Sequence, residues 1–222
     1  MADLGVISIF SDYWMAADDY YWDLYLPFVG RKRADTMYPL KSLFDHGVNI
    51  AVHSDFYVSK PDPLYAIYSG MTRNISKREF NERYSESKKY RRSIDPKENY
   101  TYGEVGPLPP LKERASLDSM LYASTMGGAR SLFLKNEIGS IKTGKKADLV
   151  ILEKNLFDVE VEEIPDVRME MVFLKGKGGT SPITTPCGVI STMQFQCTQT
   201  GCCTVQRKIP SFQAVLCGCP VQ

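Results

Sequence analysis

One helix-to-strand step constrains this chain more than any other feature. Residues 38–46 (YPLKSLFDH) place Leu40, Leu43 and Phe44 at helical spacing, with Pro39 suited to a first turn and Gly47 to a stop. The apolar run 48–52 (VNIAV) follows at once and ends in His53-Ser54-Asp55. An amphipathic helix, a glycine and a buried strand closing on polar residues is the αβ step of an α/β fold. The predicted class is therefore α/β.

The rest of the pattern agrees in part. Residues 5–10 (GVISIF) are short, apolar and β-branched, and predict a buried strand. The following segment, 11–30, is crowded with Asp12, Tyr13, Trp14, Asp18, Tyr20, Tyr21 and Trp22. It reads either as a loop and helix at the mouth of a site or as a surface helix with its aromatics in the core. Another helix is predicted from Pro63 with Asp62 as N-cap, through Leu64, Ile67, Tyr68 and Met71. Ser116 is the expected N-cap of a helix running through Met120 to Leu132, in which Gly127-Gly128 marks close packing or an irregular turn. A turn-rich link over 137–148 leads to a strand at 149–152, and 167–175 alternates as a further strand with Met169, Met171 and Phe173 on one face. Residues 76–113 differ in kind. Lys, Arg, Tyr and acidic residues are interleaved there with little apolar periodicity, which predicts an exposed, mobile insertion.

Bulk properties exclude some partners. The formal charge of +1 provides no field to gather nucleic acid or an anionic membrane surface. No run approaches the roughly 20 apolar residues of a membrane span, and the opening residues carry Asp3 where a signal peptide wants a cation. A soluble, cytoplasmic protein is the expectation. All six cysteines stand at Cys187 or later, so the body reads as cytosolic and the tail needs a separate account. Cys217-Gly218-Cys219 could bring two thiolates to one ion, although the paired spacing of structural zinc sites is missing.

The stretch EIGSIKTGKKADLVILE at 137–153 closely resembles the amidohydrolase superfamily, where it leads from the last barrel helix into a small β-sandwich. The likeness extends through Asn155-Leu156-Phe157 and 167–177 downstream, and upstream through Tyr38-Pro39, Gly47, Ser54-Asp55-Phe56-Tyr57-Val58 and Pro61-Asp62-Pro63-Leu64. The branch resembled is the amidohydrolase type 3 group of metal-dependent hydrolases, over about residues 4–178. The resemblance implies the last strands of a TIM-like barrel at 1–135, part of a β-sandwich at 136–178, and a Cys-rich tail at 179–222. It also implies hydrolysis of a non-peptide C–N bond in a small amide-type substrate.

By that resemblance Asp55 is the catalytic residue, either binding a divalent metal, zinc above all, or shuttling a proton from the metal-bound water. Its place at a strand end fits independently, since barrel enzymes set their catalytic groups there. His53, two residues earlier, is a second candidate metal ligand, read also as a packing or hydrogen-bonded histidine. His46 reads as a helix cap. The family's His-x-His pair and further histidines are not found, because His46 and His53 are the only two histidines. Hydrolytic zinc needs about three protein ligands. The chain is therefore expected to act as a C-terminal fragment, inactive alone, with a complementing chain or self-association filling its open edges. A tail metal module and a non-catalytic interaction protein are the alternatives.

Overall fold

The two leading apolar runs pair with each other in the computed structural model, which describes residues 1–18, 20–56, 58–84, 102 and 106–179. Strand β1 (Ile7–Ser11) lies parallel to β2 (Asn49–His53), in register from Ile7 against Asn49 to Ser11 against His53. Parallel neighbours require a long crossover. Here it includes the short helices α1 (Leu26–Val29), α2 (Arg31–Ala34) and α3 (Leu40–Asp45). The predicted helix-to-strand step forms as read: Gly47 takes φ 70, a left-handed value that costs glycine little, and β2 begins two residues later.

Helix α4 (Pro63–Thr72) starts as its cap predicts, with Asp62 Oδ1 accepting from the N–H groups of Leu64 and Tyr65 at 3.1 Å each. Ser116 Oγ likewise accepts from Ser119 N at 3.2 Å and opens α6 (Leu117–Tyr122). That helix widens into a π-helical turn at Ala123–Gly127 before α7 (Gly128–Ser131). A Cβ on Gly127 would stand 1.9 Å from the Ile50 carbonyl oxygen, so glycine lets this helix lie directly against the β2 backbone.

A separate antiparallel sheet of order β3-β4-β5 comprises β3 (Leu149–Leu152), β4 (Met169–Leu174) and β5 (Lys177–Gly179). The mixed α/β class is thus observed, and no barrel is closed among the described residues. One apolar core joins both sheets: Phe10, Leu40, Ile50, Leu64, Ile67 and Met120 pack with Leu152, Leu156, Ile164 and Val167. Burial of this apolar surface is the main force fixing α4 and α6 over the parallel pair. Among the described residues no helix is long and apolar enough to cross a membrane.

Residues 76–113, predicted as an exposed insertion, are packed at both ends. Helix α5 (Lys77–Tyr84) buries Phe80 against Ala16 and Ile75, and Leu108 packs with Ala17, Tyr21 and Ala34. Glu113 is buried too, its two oxygens accepting from Ser42 Oγ at 2.5 Å and Ser42 N at 2.8 Å. The charge density misled because those charges are neutralised in pairs: Arg83 reaches Asp18 at 2.9 Å and Glu79 at 3.4 Å. Residues 85–101 and 103–105, and the Cys-rich tail from 180 onward, lie outside the described residues.

Candidate active site

A Ser-Asp pair stands at the end of each parallel strand, straddling the end of β1 and following β2, so two aspartates lie past the same end of the sheet. Ser11 closes β1 and Asp12 follows; His53 closes β2 and Ser54-Asp55 follow. Ser11 is the registered partner of His53, so the chain leaves the same end of the sheet at Asp12 and at Ser54-Asp55, the second Ser-Asp one residue further on.

Asp55 is half-buried and sits at φ 52, in the left-handed region that Asp and Asn enter more readily than other side chains. Its carbonyl oxygen accepts from Val58 N at 2.6 Å and Ser59 N at 3.4 Å, folding the chain into a tight turn. Its own N–H donates to His53 Nδ1 at 3.1 Å. The backbone therefore holds the Asp55 turn, and its carboxylate is not needed for it.

His53 is exposed while Asp55 is half-buried, although strict strand alternation would set residues two apart on one face. Alternation relates residues within one extended strand, and at Asp55 the chain has already turned to positive φ. Because Nδ1 accepts a hydrogen bond, the neutral imidazole carries its proton on Nε2. His46 caps α3, with Nδ1 at 2.6 Å from the Ser42 carbonyl, as a structural histidine would.

Asp12 is the residue that sequence reasoning passed over. It is fully buried, and neither carboxyl oxygen has a hydrogen-bond partner among the described residues. Burial pushes its pKa well above the ordinary 3.8. The available signal was the repeated Ser-Asp after each apolar run. A folded pKa above the unfolded one means stability is fullest below pH 3.8 and is lost as pH rises toward the folded value. The loss proceeds at up to about 1.4 kcal/mol per pH unit. Asp12→Asn is expected to remove this component. Urea unfolding at pH 4.5, 5.5 and 6.5 should show the variant's advantage growing with pH; parallel curves for the two proteins would refute the assignment.

A cavity of about 580 Å³ opens beside these strand ends. It is walled by Tyr13, Trp14, Tyr21, Tyr25 and Tyr38, with Val58, Ser59 and Lys60 from the turn after Asp55. Trp14 Nε1 donates to Ser59 Oγ at 3.1 Å and ties the loop after β1 to the loop after β2. Buried Asp18 and Glu79 also line it, both on Arg83. Burial raises the Tyr21 phenol to about 12, with the hydrogen bond to Asp35 at 2.5 Å as a second cause.

The model of the amidohydrolase family matches residues 1–178, most of the chain. This chain belongs to the amidohydrolase family. Among curated relatives, an imidazolonepropionase of Bdellovibrio bacteriovorus is 34% identical over 73 residues, covering 33% of this chain and 17% of the relative. Protein LONG AFTER FAR-RED 3 of Arabidopsis thaliana is 30% identical over 131 residues, covering 59% of this chain and 18% of its own length. The chain thus spans less than a fifth of the curated relatives it matches. Solved structures that resemble it include an amidohydrolase from Thermotoga maritima, at TM-score 0.39, 20% identity, and coverage of 64% of this chain and 26% of that one. An adenosine deaminase from Xanthomonas campestris with bound zinc has TM-score 0.39 and 20% identity, covering 63% and 27%.

Amidohydrolases commonly bind metal, so the donors in hand must be tested against one. Among the described residues no group of three or more His, Cys, Asp or Glu side chains could hold a metal ion. Asp55 brings one carboxylate, and His53 keeps its proton on Nε2 while Nδ1 is occupied. These residues do not fit a complete hydrolytic zinc centre, which needs about three protein ligands and an open position.

Proposed function

We propose that this chain carries the last two strands of a metal-dependent amidohydrolase barrel within residues 1–135, with part of a β-sandwich at 136–178. The reaction is hydrolysis of a non-peptide C–N bond in a small amide or cyclic amide. Asp55 is its acid–base residue, taking a proton from the attacking water and passing it to the leaving nitrogen. The observation that carries this reading is a half-buried aspartate in a strained turn just past the end of a parallel strand, in a chain of this family.

The same reading requires the site to be completed from outside the described residues. Strands β1 and β2 form a two-stranded sheet, and Ile9 on β1 is 56% exposed. Unpaired strand edges with apolar residues are templates for further strands, and imidazole ligands would arrive with those strands.

Zinc stoichiometry and amide turnover test the reading together. The purified chain is expected to hold well under one equivalent of zinc and to leave hydantoin intact. A polypeptide extended at its N-terminus to include a His-x-His strand is expected to gain both zinc and turnover. Tight zinc and turnover in the unextended chain would overturn the incomplete-site reading. An extended, zinc-loaded protein inactive on every amide offered would overturn the hydrolase.

A further inference from the structure

The cavity beside the strand ends is lined largely by aromatic side chains. Tyr13, Trp14, Tyr20, Tyr21, Tyr25 and Tyr38 stand around it, and its volume of about 580 Å³ is that of a small-molecule site. Aromatic walls offer large contact area and favour stacked or edge-on partners. Two of these rings are fixed by hydrogen bonds at the wall itself, Trp14 to Ser59 Oγ and Tyr21 to Asp35. The wall is therefore rigid before any ligand arrives, which lowers the entropic cost of binding.

Charge in the cavity is present and already matched. The lining cations are Lys60 and Arg83, and the lining carboxylates are Asp18 and Glu79. Arg83 bridges Asp18 and Glu79, while Lys60 lies 3.8 Å from Glu79 and pairs with Glu82. A ligand carboxylate drawn to Arg83 would compete with buried Asp18 and Glu79 for that cation, which is costly. A neutral ring disturbs none of them. Val58, Ser59 and Lys60 follow directly from the Asp55 turn, so a ligand seated here lies against that turn, although Asp55 itself does not line the cavity.

We propose that this cavity is the specificity pocket of the site, accepting the neutral aromatic substituent of an amide or cyclic amide. The assignment of substrate class rests on the hydrolase reading above, whereas binding of the ring does not need catalysis and is tested separately. Equilibrium dialysis of the full chain would compare three probes: 5-phenylhydantoin, unsubstituted hydantoin and hydantoin-5-acetic acid. The phenyl compound is expected to bind at least tenfold more tightly than either of the others.

Two variants complete the test. Leu24 lines the cavity yet is 50% exposed, so Leu24→Arg alters the pocket with little effect on the core. It is expected to weaken the phenyl probe at least tenfold, with circular dichroism unchanged. Leu132→Arg, at an exposed position that does not line the cavity, is expected to bind the phenyl probe as the parent does. Equal affinities for all three probes, or a Leu24→Arg protein that binds the phenyl probe unchanged, would overturn the pocket assignment. Preferential binding without any hydrolysis by an extended, zinc-loaded protein would leave the pocket standing and remove the hydrolase.

Discussion

Replacing Arg73 with Met is expected to destabilise the chain by about 3–5 kcal/mol. Arg73 is completely buried and ends α4 at φ 57. Its guanidinium donates to four carbonyls: Nε to Leu108 at 2.8 Å, Nη1 to Tyr38 at 2.7 Å, and Nη2 to Met37 at 2.8 Å and Pro109 at 3.1 Å. Burial lowers its pKa to about 10, opposed by Glu113, so the charge persists at neutral pH. Met fills similar volume and takes the donor from the carbonyls of Leu108, Met37 and Pro109, while that of Tyr38 still accepts from Leu40 N at 2.8 Å. For a chain of this size the melting temperature should fall by about 10–15 °C. Lys in the same place keeps the charge, but its three donors cannot reproduce the planar fork, so only part of the loss should be recovered. Thermal and urea unfolding give the answer. A Met variant melting within about 2 °C of the parent would show that the four bonds contribute little.

Arg73 also marks the boundary of what could be read beforehand. Asp62 and Ser116 were legible as caps because a capping side chain bonds a backbone N–H two or three residues away. The αβ step was legible for the same reason: periodicity, proline and glycine act over a few positions. The acceptors of Arg73 lie about 35 positions away on both sides, and Glu113 meets Ser42 across 71. Composition carries no trace of such pairings. Read as composition, residues 76–113 are solvated charge. In three dimensions Arg83 stands between Asp18 and Glu79, and Arg73 holds Leu108 and Pro109 in place.

The candidate site divides along the same line. Asp55 was found through its strand and through the family's motif, both continuous in sequence. Asp12 carries the same Ser-Asp signature but sits in a segment dominated by aromatics. Only burial without a partner distinguishes it. The cavity was hinted at by the crowd of Tyr and Trp in 11–30. Its other walls come from residues 37–38, 58–60, 79, 83 and 108, which no local pattern joins.

Asp55→Asn is expected to lower kcat by about 1,000-fold in any form of this protein that hydrolyses an amide, within the range for removal of a positioned acid–base group. The prediction is sharp because the substitution should leave the fold alone. What holds the turn is the Asp55 backbone: its carbonyl accepts from Val58 and Ser59, and its N–H donates to His53. Asn matches Asp in size and enters positive φ about as readily. Melting temperature should therefore stay within about 2 °C of the parent, separating chemistry from stability. Ala at the same position would add the strain of a left-handed residue and blur the two. Because the carboxamide keeps shape and loses the proton-accepting oxygen, KM should change far less than kcat. An Asn variant with full turnover would mean that some other group, with buried Asp12 the first to examine, handles the proton at this end of the sheet.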